Sequence, residues 1–219
     1  MTQIKAVVFD VFGTIANITV PQLAYKQLLA GIGPEVYPSD RYTVMTRNVS
    51  MHQLCDDVYS VKPPENIYEI ERQLQKELES IRIVPGVLDA MQMLREEGIK
   101  ISLCSNLAAP FGAPIRVLFQ DHVDYIHFSY ELYAAKPDRR MYDAVGAALF
   151  NDYAISREEI LFIGDSQQND FDGPKKHGMK VVTPEAWQMI NGVHDPKHFA
   201  ARVGHLVWWH NNKFGNTLV

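Results

Sequence analysis

The feature that most constrains the fold is a set of short apolar segments, each of which stops abruptly at polar or turn residues. The first segment is rich in β-branched and aromatic residues and ends at Asp10. An apolar run of this kind, closed by a turn, is typical of a buried parallel strand. Five segments are candidates for such strands: residues 4–9, 100–104, 125–129, 160–163 and 180–182.

Helical patterns separate these predicted strands. Residues 87–97 carry apolar side chains at helical spacing and are followed by Gly98, which favours a helix C-terminus there. Residues 139–150 and 168–177 are two further predicted helices. Strands that alternate with helices form βαβ units, so we predict an α/β fold with a parallel sheet.

The segment from Ile15 to Val84 interrupts this alternation. It contains no strong strand pattern, and apolar residues recur at helical spacing from Ile67 to Ile81. Residues 21–30 and 43–58 also read as helices. We therefore predict a catalytic core made of residues 1–14 and 85–219, with residues 15–84 inserted as a helical cap. Near the C-terminus, residues 205–209 are compatible with a last strand or with a packed terminus.

Charge and composition exclude some classes of function. The net charge of −5 and the lack of clustered basic residues argue against a nucleic-acid partner. No apolar stretch approaches the length of a membrane span, and the N-terminal apolar run is too short for a signal peptide. Cys55 and Cys104 have no metal-ligand spacing and are expected to be reduced thiols. We expect a cytoplasmic protein that acts on a small anionic molecule, as a monomer or a homodimer.

Polar residues follow four of the predicted strands. In an open parallel sheet, ligands bind at the carboxyl ends of the strands, so residues far apart in sequence converge there. Several carboxylates, a hydroxyl group and one lysine would suit an anion beside a hard cation such as Mg²⁺. These residues are Asp10 and Thr14, Ser105 and Asn106, Lys136, and Asp165, Ser166, Asn169 and Asp170.

Four motifs together resemble those of the haloacid dehalogenase superfamily, in order and at suitable spacing. They are FDVFGT at 9–14, SN at 105–106, KP at 136–137 and GDSQQND at 164–170. The resemblance implies a Rossmann-like, doubly wound parallel sheet core. It also implies that the inserted segment is the small α-helical cap of subfamily I.

The resemblance also implies a role for each matching residue. Asp10 would be the nucleophile, Ser105 and Asn106 would bind the transferring group, and Lys136 would steady the charges. The implied Mg²⁺ ligands are Asp10, the main-chain carbonyl of Phe12, Asp165 and, through water, Asp170. Thr14 completes the predicted catalytic set, and backbone N–H groups near Phe12 would add donors to the developing charge.

Phe12 departs from the pattern of the phosphatases in this superfamily. Those enzymes usually have an aspartate at this position as general acid and base, which is worth about 10²–10⁴ in rate. An aromatic residue followed by Gly-Thr resembles the 2-haloacid dehalogenases, in which the halide leaves without a proton. The pair Lys136 and Tyr142 also resembles that branch. A dehalogenase would need a cap arginine for the substrate carboxylate, and Arg41 and Arg47 are the candidates.

The last motif favours the other branch, because it keeps both Asp165 and Asp170. The dehalogenases need no Mg²⁺ and usually have a small polar residue in place of the first of these acids. Three clustered carboxylates without a cation would repel one another at a cost of several kcal/mol. We therefore predict Mg²⁺-dependent hydrolysis of a small phosphorylated metabolite. A 2-haloacid dehalogenase and a catalytically weak binding or regulatory protein are the alternatives.

Overall fold

A computed structural model describes residues 2–33, 40–191 and 196–212 of the chain. Five strands form one parallel sheet in the order β5-β4-β1-β6-β7, and two form a separate antiparallel ribbon. The strands are β1 (Ala6–Phe9), β2 (Ala16–Ile18), β3 (Ile81–Ile83), β4 (Lys100–Ser105), β5 (Tyr125–Phe128), β6 (Ile160–Ile163) and β7 (Lys180–Val181). The predicted α/β class, the parallel sheet and its five strands are confirmed.

Helices connect the strands and cover both faces of the parallel sheet. A π-helical turn, residues 54–59, extends α3, and another, residues 167–172, leads into α9. None of the described helices is both long and apolar enough to cross a lipid bilayer. The α-helices are α1 (Ala24–Ile32), α2 (Arg41–Met45), α3 (Met51–Gln53), α4 (Ile67–Glu79), α5 (Val87–Glu96), α6 (Ala109–Phe119), α7 (Ser129–Leu132), α8 (Arg139–Tyr153), α9 (Gly173–Lys176), α10 (Pro184–Asn191) and α11 (Pro196–Asn212).

The alternation of side chains along the buried strands divides the core into two layers. Val7 and Phe9 of β1 pack on one face of the sheet in the same apolar cluster as α5, α6, α10 and α11. Ala6 and Val8 pack on the opposite face with α8. All four side chains are almost completely buried, as expected for a central strand that is covered on both sides. The sheet is therefore doubly wound, as the strand order also indicates.

The inserted segment begins and ends in a short ribbon that the sequence did not predict. β2 pairs with β3 so that Ala16 lies opposite Ile83 and Ile18 opposite Ile81. The helical spacing predicts that Ile81 continues the preceding helix, but α4 ends at Glu79. Three-residue strands are too short to display a period of two, which explains the error.

One further sequence interpretation was wrong, and one of two alternatives for another segment is excluded. The helix predicted over residues 43–58 is interrupted: α2 ends at Met45, and α3 begins only after Ser50, whose side chain caps it. Of the two alternatives for residues 205–209, a last strand and a packed terminus, the strand is excluded, because these residues belong to helix α11 and Val207 is buried there. A five-residue apolar run cannot by itself distinguish a strand from one face of a buried helix.

Candidate active site

Three neighbouring strands deliver polar side chains to the same edge of the sheet. Phe9, the last residue of β1, lies opposite Leu103 of β4 on one side and Ile163 of β6 on the other. Asp10 continues the ladder, because its N–H donates to the Ile163 carbonyl at 2.9 Å. The residues that follow each strand therefore emerge side by side, at the carboxyl ends where open α/β sheets bind ligands.

Lys136 connects two of the carboxylates. Its Nζ lies 2.7 Å from Oδ1 of Asp10 and 2.6 Å from Oδ1 of Asp170. The side chains of Lys136 and Asp170 are each 2% exposed, and that of Asp10 is 10% exposed. This buried bridge joins residues that are 126 and 34 positions apart in sequence.

Burial, together with an excess of negative charge, shifts the pKa values in this cluster. Burial alone would lower the pKa of Lys136, but Asp10 and Asp170 hold it above its ordinary value. Burial raises the pKa of Asp170 to about 6, even though Lys136 acts in the opposite direction. Desolvation, followed by repulsion from Asp10, also raises the pKa of Asp165. A single ammonium group thus faces three carboxyl groups, and the site favours additional positive charge.

The three carboxyl groups are close enough to share one cation. One oxygen from each of Asp10, Asp165 and Asp170 lies within 4.8 Å of the other two. Glycines permit this approach: a Cβ at Gly13 would collide with the Asp165 carboxylate, and one at Gly164 with Asp170. Gly13 also has a φ of +83°, a conformation that side chains with a Cβ rarely adopt. An all-oxygen donor set of this kind suits a hard divalent cation such as Mg²⁺.

Two predicted hydroxyl residues lie in the same region. Thr14 is fully buried, and its Oγ1 lies 3.5 Å from Oδ2 of Asp10, which is a long hydrogen bond. Ser105 is the last residue of β4 and is 1% exposed. It extends β4 two residues beyond the position paired with Phe9. Thr14 therefore contacts the predicted nucleophile directly, and the strand register brings Ser105 to the same edge of the sheet.

Both polar atoms of the Asn106 side chain form hydrogen bonds with the main chain of Lys136. Its Nδ2 donates to the Lys136 carbonyl at 2.8 Å, and its Oδ1 accepts from the Lys136 N–H at 2.7 Å. This double contact anchors the loop between α7 and α8, in which the peptide bond between Lys136 and Pro137 is cis. Asn106 thus positions the lysine, a role that its place beside Ser105 in the sequence did not reveal. Its predicted contact with substrate stays a prediction.

Removal of the Asn106 amide is expected to impair catalysis by displacing Lys136. For Asn106→Ala we expect kcat to fall about tenfold to one-hundredfold, because small misplacements of a catalytic group have effects of this size. The free energy of unfolding should fall by about 1–2 kcal/mol through the lost hydrogen bonds. Steady-state kinetics and urea denaturation measure the two effects, with the exposed loop variant Asn48→Ala as control. A rise in KM at unchanged kcat would contradict this positioning role.

Phe12 lies between the site and an apolar cavity. Its half-buried ring packs edge-to-face on Phe111, with ring centroids 5.7 Å apart. Phe12 and Asn106 both line a cavity of about 310 Å³, whose other walls include Tyr25 and Glu77 from the inserted segment. No pattern in the sequence indicated Tyr25 or Glu77, because helical spacing predicts burial but not which cavity a side chain faces.

The structure separates the two arginines that were predicted to hold a substrate carboxylate. Arg41 is the first residue of α2, is exposed and lines the cavity beside Phe12. Arg47 is also exposed, but it does not belong to the described residues that line this cavity. Of the two residues predicted to hold a substrate carboxylate, Arg41 is therefore the better placed.

Two buried residues close to the site are better explained by structural roles. Tyr142 is fully buried, and its hydroxyl donates to the Asn169 carbonyl at 2.7 Å, which supports the turn after β6. Burial raises the pKa of the Cys104 thiol to about 12, so it is not a reactive thiolate near neutral pH.

The sequence matches a known family. The model of the haloacid dehalogenase-like hydrolases matches residues 4–178, whereas no curated protein matches the chain. An enzyme of this family from Bacteroides thetaiotaomicron has a similar structure, with a TM-score of 0.59, 18% identity, and coverage of 83% of this chain and 94% of that chain.

Two phosphatases also have similar structures. A predicted phosphoglycolate phosphatase from Haemophilus somnus gives a TM-score of 0.53 at 20% identity, and the match covers 83% of this chain and 85% of that one. A phosphatase of the same family from Thermococcus onnurineus gives 0.54 at 19% identity, with 81% and 85% covered. At these identities the likeness is one of fold.

Proposed function

The chain belongs to the haloacid dehalogenase-like hydrolase family, and from this premise we propose that it is a Mg²⁺-dependent phosphatase acting on a small phosphate monoester. The observation that carries the proposal is the buried cluster in which Lys136 bridges Asp10 and Asp170 while Asp165 lies alongside. Three carboxylates beside one ammonium group leave an excess of two negative charges, which a divalent cation would balance.

The residues present fit Mg²⁺. Carboxylate oxygens of Asp10 and Asp165 would hold the ion together with the main-chain carbonyl of Phe12, and Asp170 would act through a water molecule. Bound there, Mg²⁺ would neutralise the carboxylates and polarise a phosphoryl oxygen.

Side chains of this protein would carry out the transfer of the phosphoryl group. A carboxylate oxygen of Asp10 attacks phosphorus, and the bond from phosphorus to the leaving-group oxygen breaks, with its electron pair going to that oxygen. Lys136 and Ser105 hold the phosphoryl oxygens, and Thr14 orients Asp10. Water then cleaves the aspartyl phosphate and releases inorganic phosphate.

Related structures support both the cation and the anion. The Bacteroides thetaiotaomicron enzyme was also solved in complex with magnesium and inorganic phosphate, with a TM-score of 0.58 to this chain. We propose the same pair of ligands for the cluster around Asp10.

We also propose that the chain forms two domains: residues 1–14 and 85–219 form the catalytic core, and residues 15–84 form a cap. The pairing of β2 with β3 supports this division, because it brings the two ends of the inserted segment together. The Val84 N–H donates to the Ile15 carbonyl at 2.9 Å at the same point.

Phe12 supports a second candidate, the hydrolysis of 2-haloacids. A halide needs no proton to leave, so a phenylalanine in place of the usual acid is no handicap for that reaction. Arg41, exposed at the cavity, would hold the substrate carboxylate. The acidic cluster favours the phosphatase, since the dehalogenase has no use for three carboxylates.

A substrate panel with and without metal separates the two reactions. We expect phosphate release from small phosphate esters in Mg²⁺ and at least a 100-fold lower rate in EDTA, because Lewis-acid stabilisation is worth several kcal/mol. Inorganic phosphate and halide are measured in parallel, the halide from 2-chloro- and 2-bromoacids. Halide release that persists in EDTA would overturn the phosphatase proposal in favour of the dehalogenase.

A further inference from the structure

The cavity beside Phe12 has a size and lining that restrict the leaving group of the substrate. Its volume is about 310 Å³, and a cavity of about 150 Å³ is large enough to hold benzene. Most of its wall is apolar and comes from both the inserted segment and the core, including Ile18, Leu29, Val44, Leu107 and Phe111. A wall of this kind suits an aromatic ring and offers few partners to a polyhydroxylated group.

Charged side chains reach the cavity in two different ways. Lys26 and Arg41 are exposed and lie at its rim. Glu77 is only 4% exposed, and its Oε1 accepts backbone N–H groups from Gln22 at 2.8 Å and Leu23 at 2.6 Å. A carboxyl group fixed in the wall in this way disfavours a second negative charge within the cavity.

Phe12 adds an independent constraint, because it lies two residues after Asp10, at the position where related phosphatases carry their general acid. Its ring lines the cavity and cannot donate a proton. A leaving group seated there departs readily only as a stable anion. Phenolates meet this condition, whereas the alkoxides of sugars and simple alcohols do not.

We propose that the substrate is an aryl phosphate whose uncharged aromatic ring occupies this cavity and leaves as a phenolate; this inference rests on the proposed phosphatase function. Asp10 forms a bond to phosphorus, and the aryl oxygen takes the electron pair of the bond that breaks. The phenolate takes its proton from water after it has left, so no acid at position 12 is required.

Binding of phosphonates tests the cavity without turnover, because their carbon–phosphorus bond is not hydrolysed. With the intact protein in Mg²⁺, calorimetry should show phenylphosphonate binding about tenfold to one-hundredfold more tightly than methylphosphonate, given the apolar area of the buried ring. A carboxylate on the ring should reduce this advantage, because Glu77 lies in the wall.

Matched tryptophan variants locate the binding site of the ring. Leu29→Trp fills the cavity and should abolish the preference for phenylphosphonate, whereas Ala30→Trp, its exposed neighbour on α1, should keep it. Because Leu29 is buried, a second variant, Met45→Trp, fills the cavity from a half-buried position on α2. Ala30 does not line the cavity, so Ala30→Trp should also turn over acetyl phosphate at the wild-type rate.

The rates of hydrolysis of phosphate esters with different leaving groups test whether the lack of a general acid at position 12 restricts the substrate. We expect kcat/KM to fall at least 100-fold from 4-nitrophenyl phosphate to glycerol phosphate, and Phe12→Asp to narrow this gap. The inference is overturned if the two phosphonates bind equally well, or if the preference for phenylphosphonate survives in both cavity-filling variants. In either case, release of phosphate from phosphate esters would still support the proposed phosphatase function. If neither phosphonate binds in Mg²⁺ and no phosphate is released, both proposals fail.

Discussion

Replacement of Asp10 by asparagine should lower the rate of phosphate release at least about 10⁴-fold, the scale of loss when a nucleophile is removed. The amide has the same shape and can still accept the hydrogen bond from Lys136 Nζ, which lies 2.7 Å from Oδ1 of Asp10. It cannot attack phosphorus as a carboxylate does. Rapid-quench measurement of phosphate release in a single turnover provides the rate, and circular dichroism checks the fold.

A matched control separates the nucleophile from a general effect of lost charge. Asp172 is close in sequence to the same cluster, and its Oδ1 accepts a hydrogen bond from Gln167 at the surface. Asp172→Asn should therefore change the rate less than threefold. An Asp10→Asn enzyme that retains a tenth or more of the wild-type rate would exclude covalent catalysis by this residue.

The position of Asp10 could be predicted because burial leaves a simple signature in the sequence. A strand covered on both faces must be apolar throughout, so the first polar residue marks its end. This reasoning identified Asp10 after β1 and Asp165 after β6, and the parallel arrangement then required the two to be neighbours. Strand order and register determine proximity here, with no need for knowledge of side-chain conformation.

Contacts that depend on side-chain direction could not be predicted in this way. The Asn106 amide meets the main chain of Lys136, 30 residues away, and only the folded loops bring them together. The cavity behind Phe12 likewise arises where α1, α2 and α4 of the inserted segment face the core. Helical spacing predicted that Leu74 and Leu78 lie on one face of α4, but it could not show that Glu77 faces the cavity.

Phe12 and Asp165 point to different reactions when each is judged from its motif alone. The structure places them in separate parts of the site. Asp165 lies beside Asp10 in the acidic cluster, where a cation would be held, whereas the Phe12 ring packs on Phe111 at the apolar cavity. An acidic metal site and an apolar leaving-group site can therefore coexist, and under the proposed function Phe12 would restrict the substrate without changing the class of chemistry.

Replacement of Lys136 by methionine should destabilise the metal-free protein by about 3 kcal/mol, because it leaves two buried carboxylates without their common partner. Methionine preserves the length and packing of the side chain but not its charge. We expect the lower end of the range for a broken buried ion pair, since a proton on Asp170, whose pKa burial raises to about 6, can replace part of the lost charge. Urea denaturation in EDTA measures the loss.

The second half of this experiment tests the cation without any assay of turnover. Lys5→Met is the matched control: Lys5 pairs with Glu159 at 2.5 Å, but its side chain is 52% exposed, and a surface pair contributes at most about 1 kcal/mol. Mg²⁺ should restore much of the stability of Lys136→Met and little of that of Lys5→Met, because an ion bound between Asp10 and Asp165 replaces the missing positive charge. If both variants lose the same stability, and Mg²⁺ changes neither, the charge balance proposed for this site is wrong.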